Sequence, residues 1–347
     1  MPFAYYLLMF VQLKERKINM QKIKTLIIVY LIILLIFPYA VYLLVDVKTP
    51  KPSDNRPEIC DMEVLLYRHK NGTVTTVSCF DYLCATLAGE MNSNSPTEAL
   101  KAQTVACFTY MLNKMNYVLQ NPKENIGHNG GYVCDDSSHC MAYLEKSDAR
   151  EKWGDSYFEK YYPNIENAVL SVIGEMITFD SKPINAVFHS MSNGSTHSAL
   201  EVWGTDVSYL QPSDCSNDKN ENDYLSTVTF SSDDFKNVFF EQLGVTLPES
   251  PELWIGDIHK TDTGLVKQIT VSDTLYSGTH IRTLFSLRSA SFDVEYKDNN
   301  IVFTVYGYGH GVGMSQRFAC SLANEGYSYR KILQHFYKNT EIENYKI

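Results

Sequence analysis

Residues 25–45 read TLIIVYLIILLIFPYAVYLLV, an apolar run without one charged side chain. A helix rises about 1.5 Å per residue, so a run of this length reaches across the roughly 30 Å hydrocarbon layer of a bilayer. Pro38 falls inside it, and spanning helices tolerate such a kink. Lys14, Arg16, Lys17, Lys22 and Lys24 precede the run and Asp46 follows it. The positive-inside rule therefore puts the N-terminus in the cytoplasm and the body outside. A cleaved signal peptide is the alternative, but the run is long for one and no small-residue cleavage motif follows. The expected layout is a cytoplasmic tail over residues 1–24, a single transmembrane helix over 25–45, a Pro-containing linker over 46–60 and an extracytoplasmic domain over 61–347. Met20 opens a basic-then-apolar anchor of ordinary form and is expected to be the natural start.

Beyond residue 60 the patterning mixes strands and helices. Residues 63–67 and 73–77 flank Asn71-Gly72, a hairpin signal. Ser95, Pro96 and Glu98 read as a helix start: a cap, a proline at the first helical position and an acid three residues past the cap. The Ala-rich helix that follows carries Leu100, Cys107 and Met111 on one stripe. Residues 153–168 read as partly helical, 176–179 and 183–188 as strands, and 231–240 as a helix opening at Ser232 or Asp233. Residues 267–271, 292–296 and 301–306 read as strands, with Asp298-Asn299-Asn300 turning between the last two. Ile332, Leu333 and Phe336 mark a C-terminal helix over 328–337. Strands and helices do not alternate as βαβ units, so the expected class is α+β, a mixed α/β body. A net charge of -10 excludes a general nucleic-acid binder, which needs a basic face. The 24 Tyr and 17 Phe suit sugar rings, and equally they fill cores.

Three stretches carry chemistry. In Leu87-Ala88-Gly89-Glu90-Met91, Glu90 follows a mostly apolar run on what reads as a loop. A carboxyl held against apolar surroundings keeps its proton to higher pH, as a general acid must. The plain alternative is a loop glutamate in a salt bridge. Second, His128, Cys134, His139 and Cys140 put two imidazoles and two thiols into one loop. Such a set closes a tetrahedral, structural zinc site with no position left for water. Outside the cytoplasm a Cys134–Cys140 disulfide is the alternative. Third, Gly307-Tyr308-Gly309-His310-Gly311-Val312-Gly313-Met314-Ser315-Gln316 follows directly on a strand. Alternate glycines there imply sharp bends or close approach, with amides free to cradle an anion. No Gly-Lys-Ser or Gly-Lys-Thr ending follows, and the spacing is wrong for a dinucleotide fingerprint. His310 reads either as a structural hydrogen-bonder or as a site residue.

In their order these motifs resemble those of the stage II sporulation protein D family. Gly309 to Gln316 matches its signature, and Gly89-Glu90-Met91 its Gly-Glu-Met, ahead of a helix like Glu98-Ala99-Leu100-Lys101-Ala102-Gln103. Phe188-His189-Ser190, Val202-Trp203-Gly204 and Tyr209-Leu210-Gln211 follow in family order. The likeness runs from about Met62 to near the C-terminus. It implies a membrane-anchored lytic transglycosylase that cuts the MurNAc-GlcNAc strands of septal peptidoglycan during engulfment, between mother cell and forespore, leaving 1,6-anhydro-MurNAc ends. Glu90 falls on the family's catalytic acid. Lys101, His189, Ser190, Ser192, Trp203, His310 and Gln316 are expected to contact substrate, with a solvated helix lysine as the alternative for Lys101. Some members that look like this chain bind zinc at a loop such as that of His128, Cys134, His139 and Cys140. The implied partners are glycan strands stripped of stem peptides, the stage II sporulation protein P amidase that strips them, and other engulfment membrane proteins. The chain departs from the family at Phe108, where Arg is usual, and at Asn193-Gly194-Ser195-Thr196-His197-Ser198. Two rival functions stay open: a zinc amidase built on the same His and Cys set, and a non-enzymatic wall-binding scaffold that recruits an amidase.

Overall fold

In the computed structural model, which describes residues 56–124 and 127–346, the helix expected after Ser95 is the axis of the first of two hydrophobic cores. The expected tail, transmembrane helix and most of the linker lie outside the described residues. Among the described residues no helix is long and apolar enough to cross a membrane. The end of the linker is seen as a 3-10 turn, Glu58–Asp61, which buries Ile59 and Cys60.

The axial helix, Thr97–Gln120, is buried on nearly every side from Ala99 to Leu112 rather than along one stripe. A helix wrapped by apolar neighbours is an interior helix. Its alanines let those neighbours approach, and its buried hydroxyls are satisfied locally. Thr104 and Thr109 donate to the carbonyls of Leu100 and Val105 at 2.8 and 2.6 Å. The start differs from expectation. Pro96, in extended conformation, occupies the cap position, and Ser95 offers no side-chain cap. Glu98 instead accepts from the Tyr329 amide and from Lys101 Nζ, both at 2.8 Å, tying the helix to the C-terminal helix Tyr329–Phe336.

Strands Glu63–Arg68 and Thr73–Ser78 form the expected hairpin. The chain then enters the helix Cys79–Glu90, whose first turn is capped by Ser78 accepting from the Asp81 amide at 3.1 Å. Glu90 is thus the last residue of a helix and not a loop residue. Val133–Cys134 pairs parallel to the first strand, Tyr67 opposite Cys134, and so anchors the His/Cys loop to the hairpin. Helix Asp155–Val172 runs on through Pro163. Glu175–Phe179 pairs with Lys182–Pro183 and with the C-terminal strand Glu341–Asn344. Of the strand expected over 183–188 only the ends pair: Lys182–Pro183, and Phe188–His189 parallel to Met314–Ser315.

The second core lies between helices Ser232–Leu243 and Gly278–Leu284 and two three-stranded sheets. Phe235 stacks on Phe285 with centroids 4.7 Å apart and on Trp254 at 5.7 Å. Phe292–Lys297 and Asn300–Tyr306 pair as expected, with Asp298 and Asn299 both at positive φ in their turn. Leu225–Ser231, beside Asn300–Tyr306, and Ile255–Lys260 were not anticipated; their sequences, LSTVTFS and IGDIHK, show too weak an apolar alternation.

Candidate active site

Glu90 ends its helix at the edge of a cleft of about 590 Å³. Its Oε1 accepts from the Ala142 amide at 2.6 Å, and its Oε2 accepts from Gln316 Nε2 at 3.2 Å. Burial pushes its pKa up, and the two hydrogen bonds draw it only part of the way back. The negative end of the helix dipole also disfavours its carboxylate. The preceding residue explains the closeness of Ala142. A Cβ on Gly89 would lie 2.8 Å from Ala142 C and 2.9 Å from Ala142 O, so only glycine lets that backbone reach the acid.

His189, Ser190, His310 and Gln316 line the cleft beside Glu90. A second hollow of about 390 Å³ shares Glu90, Ser190 and Gln316 and extends past Asn92, Asn94 and Arg317. The acid therefore sits where two hollows meet. Trp203 is half-exposed with its ring 5.3 Å from His310. Lys101, Ser192 and Trp203 are not among the residues that line either hollow. Lys101 is paired with Glu98, and Ser192 is buried behind the wall, its amide and hydroxyl both donating to Asp218 Oδ2.

Asp218, Arg282 and the Ala142 amide escaped the sequence reading. Asp218 is fully buried, and its Oδ2 also accepts from Ser315 Oγ at 2.7 Å. Ser315 in turn caps the helix Gln316–Asn324, so Asp218 orients the segment that presents Gln316. Burial raises the Asp218 pKa against these hydrogen bonds.

The glycine turn packs as tightly as its composition implies. Gly309 has φ 119°, and a Cβ there would lie 2.6 Å from the His189 Cβ. Several of its amides are already engaged by protein acceptors. Those of Gly307, Tyr308, Gly309 and Met314 donate to the carbonyls of Tyr224, Met191, Arg288 and Val187. The Val312 amide donates to His310 Nδ1 at 3.1 Å, which leaves the His310 proton on Nε2. His189 has the other tautomer. Its Nδ1 donates to the Val312 carbonyl at 3.2 Å, so its buried Nε2 is an acceptor, and among the described residues it has no partner. Burial pushes the His310 pKa down to about 4 and holds that of His189 well below the ordinary range, so both are neutral at pH 7.

His128, Cys134, His139 and Cys140 converge, with donor atoms all within 4.8 Å of one another. The closest pairs are His128 Nε2 to His139 Nδ1 at 2.9 Å and Cys140 Sγ to His128 Nε2 at 3.3 Å. A tetrahedral ion with N and S ligands at ~2.0–2.3 Å has donor–donor edges of roughly 3.3–3.8 Å, so the set fits such an ion. Both cysteines are free thiols. The hydrogen bond from Cys134 lowers the Cys140 thiol toward the thiolate that a metal requires. Ala142, which holds Glu90, follows Cys140 by two residues.

Residues 67–179 match a family model described as stage II sporulation protein. The stage II sporulation protein D of Bacillus subtilis (strain 168) is 32% identical over 284 residues, which is 81% of this chain and 79% of that one. That of Bacillus amyloliquefaciens is 32% identical over 283 residues, 81% and 78% of the two chains. The amidase enhancer of Bacillus subtilis is 24% identical over 314 residues, 75% of this chain and 40% of that one.

Proposed function

The chain belongs to the stage II sporulation protein D family, and on that premise we propose that it is a lytic transglycosylase of septal peptidoglycan with Glu90 as its acid. One observation carries the reading. Among the described residues that line the main cleft, Glu90 is the only carboxyl, and its environment favours the proton; the adjoining hollow adds Glu221, which is ion-paired with Arg317 at 3.4 Å. Hydrolysis by either standard route calls on two carboxyl groups. A single one suffices when the nucleophile belongs to the substrate. Protonated Glu90 gives its proton to the glycosidic oxygen as the C1–O bond breaks. The resulting carboxylate takes the proton of the same sugar's 6-hydroxyl, whose oxygen bonds C1 and closes an anhydro ring. Tethering of that hydroxyl supplies much of the rate.

The neighbours serve both halves of this cycle. Ala142 N–H anchors Oε1 throughout. The Gln316 amide donates to the carboxylate and, turned over, accepts from the acid. His189 Nε2 accepts a sugar O–H or N–H, Ser190 bonds a hydroxyl, and Trp203 stacks on a ring. Lys101, bonded to Glu98, does not oppose the acid's proton. His128, Cys134, His139 and Cys140 would hold zinc, which supplies rigidity with every coordination position filled by protein. That filling weighs against the amidase reading, since no position is left for water. Residues 25–45 would anchor the body in the septal space, on strands first stripped by a partner amidase.

A second reading is favoured by the name of one relative, the amidase enhancer: a chain that promotes an amidase without cutting glycan itself. The two separate cleanly. The full chain in detergent, given purified glycan strands without stem peptides, should yield anhydro ends by mass spectrometry. Glu90→Gln should abolish this and still bind strands. Cleavage by Glu90→Gln near the parent rate, or ordinary reducing ends alone, would end the proposal.

A further inference from the structure

Arg282 enters the cleft from the second core. It sits in the helix Gly278–Leu284, and its side chain lines the same wall system as Glu90 and His189. Its Nε donates to the Leu287 carbonyl at 3.3 Å. Among the described residues no carboxylate lies within 4.0 Å of its guanidinium; Arg68, Arg150, Arg317 and Arg330 each have one, and Arg288, which also lacks one, donates to the Asp223 carbonyl and lies over the Tyr308 ring instead. A guanidinium stays charged in proteins, and its fork matches a carboxylate in two parallel hydrogen bonds. Half-buried and unpaired, it has lost water without gaining an anion, a costly state that a ligand carboxylate relieves.

Its surroundings add the second half of a binding site. His189 Nε2 is buried in the same cleft as an unpartnered acceptor. His189 and His310 are neutral, so no other cation of this wall competes for an anion. The matching ligand carries a carboxylate and, nearby, an N–H or O–H. Arg282 is not among the groups that shift Glu90, so it draws an anion into the cleft without taking the acid's proton.

We propose that Arg282 binds the free carboxylate of an acidic amino sugar, the lactyl group that a muramic residue exposes once its stem peptide is gone, and so selects stripped strands. In an intact strand that carboxyl is an amide, and no anion stands at the lactyl position; the carboxylates of the stem peptide lie further from the sugar. The inference rests on the glycan reading of the cleft. It assigns Arg282 to substrate recognition and gives it no part in proton transfer.

The test is binding, not cleavage. The full chain carrying Glu90→Gln is titrated with stripped strands and with the same strands after conversion of their carboxyls to methylamides. Stripped strands should bind roughly tenfold tighter, a gap of charge-assisted pairing, and the gap should narrow with added salt. Arg282→Gln should reduce it to about twofold or less, and Arg282→Lys should keep part of it. Equal binding of both strands by the arginine-bearing protein, which involves no recognition-site variant, overturns the assignment, as does a gap that survives Arg282→Gln. Failure of both strands to bind would withdraw the glycan reading and this site with it; equal binding withdraws only the arginine.

Discussion

Gly89→Ala tests the packing that holds the acid. The new Cβ would meet Ala142 C at 2.8 Å, Ala142 O at 2.9 Å and Tyr143 N at 3.0 Å, all of them backbone atoms. Carbon atoms rest at about 3.5–4.0 Å, so the helix end and the 142–143 backbone must part by something near 1 Å. That movement stretches the 2.6 Å bond from Ala142 to Glu90 out of hydrogen-bonding range. The fold itself suffers little. Overpacking costs about 1–3 kcal/mol, while alanine recovers roughly 1 kcal/mol of helix propensity over glycine. The site suffers more. A carboxylate that loses a hydrogen bond of its charged form gives up about 1.5–3 kcal/mol, and an ångström of misplacement costs on the order of 10²-fold in rate. Loss of an N–H that favours the carboxylate also raises the Glu90 pKa further. A rate that needs the protonated acid falls as pH rises through that pKa, so the falling limb should move to higher pH. Anhydro-end formation measured across pH, with thermal melts as a control, reads both effects. A folded Gly89→Ala protein with the parent rate and the parent pH limb would show that the contact has no bearing on the acid.

Two further outcomes follow from the surroundings. Purified protein should carry about one zinc per chain, and its removal by a chelator, or Cys140→Ser, should lower the melting temperature and slow cleavage together, because Ala142 is carried by the same loop; zinc-free protein of full activity would count against the metal. Asp218→Ala strips a buried acceptor from Ser192 and Ser315 and should cost about 3 kcal/mol in urea unfolding, with Asp218→Asn milder; an unchanged midpoint would show that the clamp on Gln316 holds without it.

The mixed class and three of the six strands of the second core, Val266–Val271, Phe292–Lys297 and Asn300–Tyr306, were legible because their periods are strong. The helical state of Glu90 was not, since Gly89 reads as a breaker until Ala142 and Tyr143 are seen against it. Lys101 was legible in principle: Glu98 stands three residues before it, a pairing distance on a helix. Asp218 lies in the run DCSNDKNEND, where only tertiary burial distinguishes it from its acidic neighbours. The glycine turn was recognisable by composition, but the direction of its amides depends on carbonyls as distant as Met191 and Tyr224. Phe108, conspicuous against the family's Arg, turns out to be core filling, edge-on to Tyr345.

Acid and cation come to the cleft from separate hydrophobic interiors, and only the former is braced by Ala142. Repacking around Phe235 would tilt the scaffold of Arg282 and, on the proposed reading, retune which polymer is bound while leaving the setting of Glu90 as it is. On that reading, selectivity and cutting can drift apart over evolutionary time without either one dismantling the other.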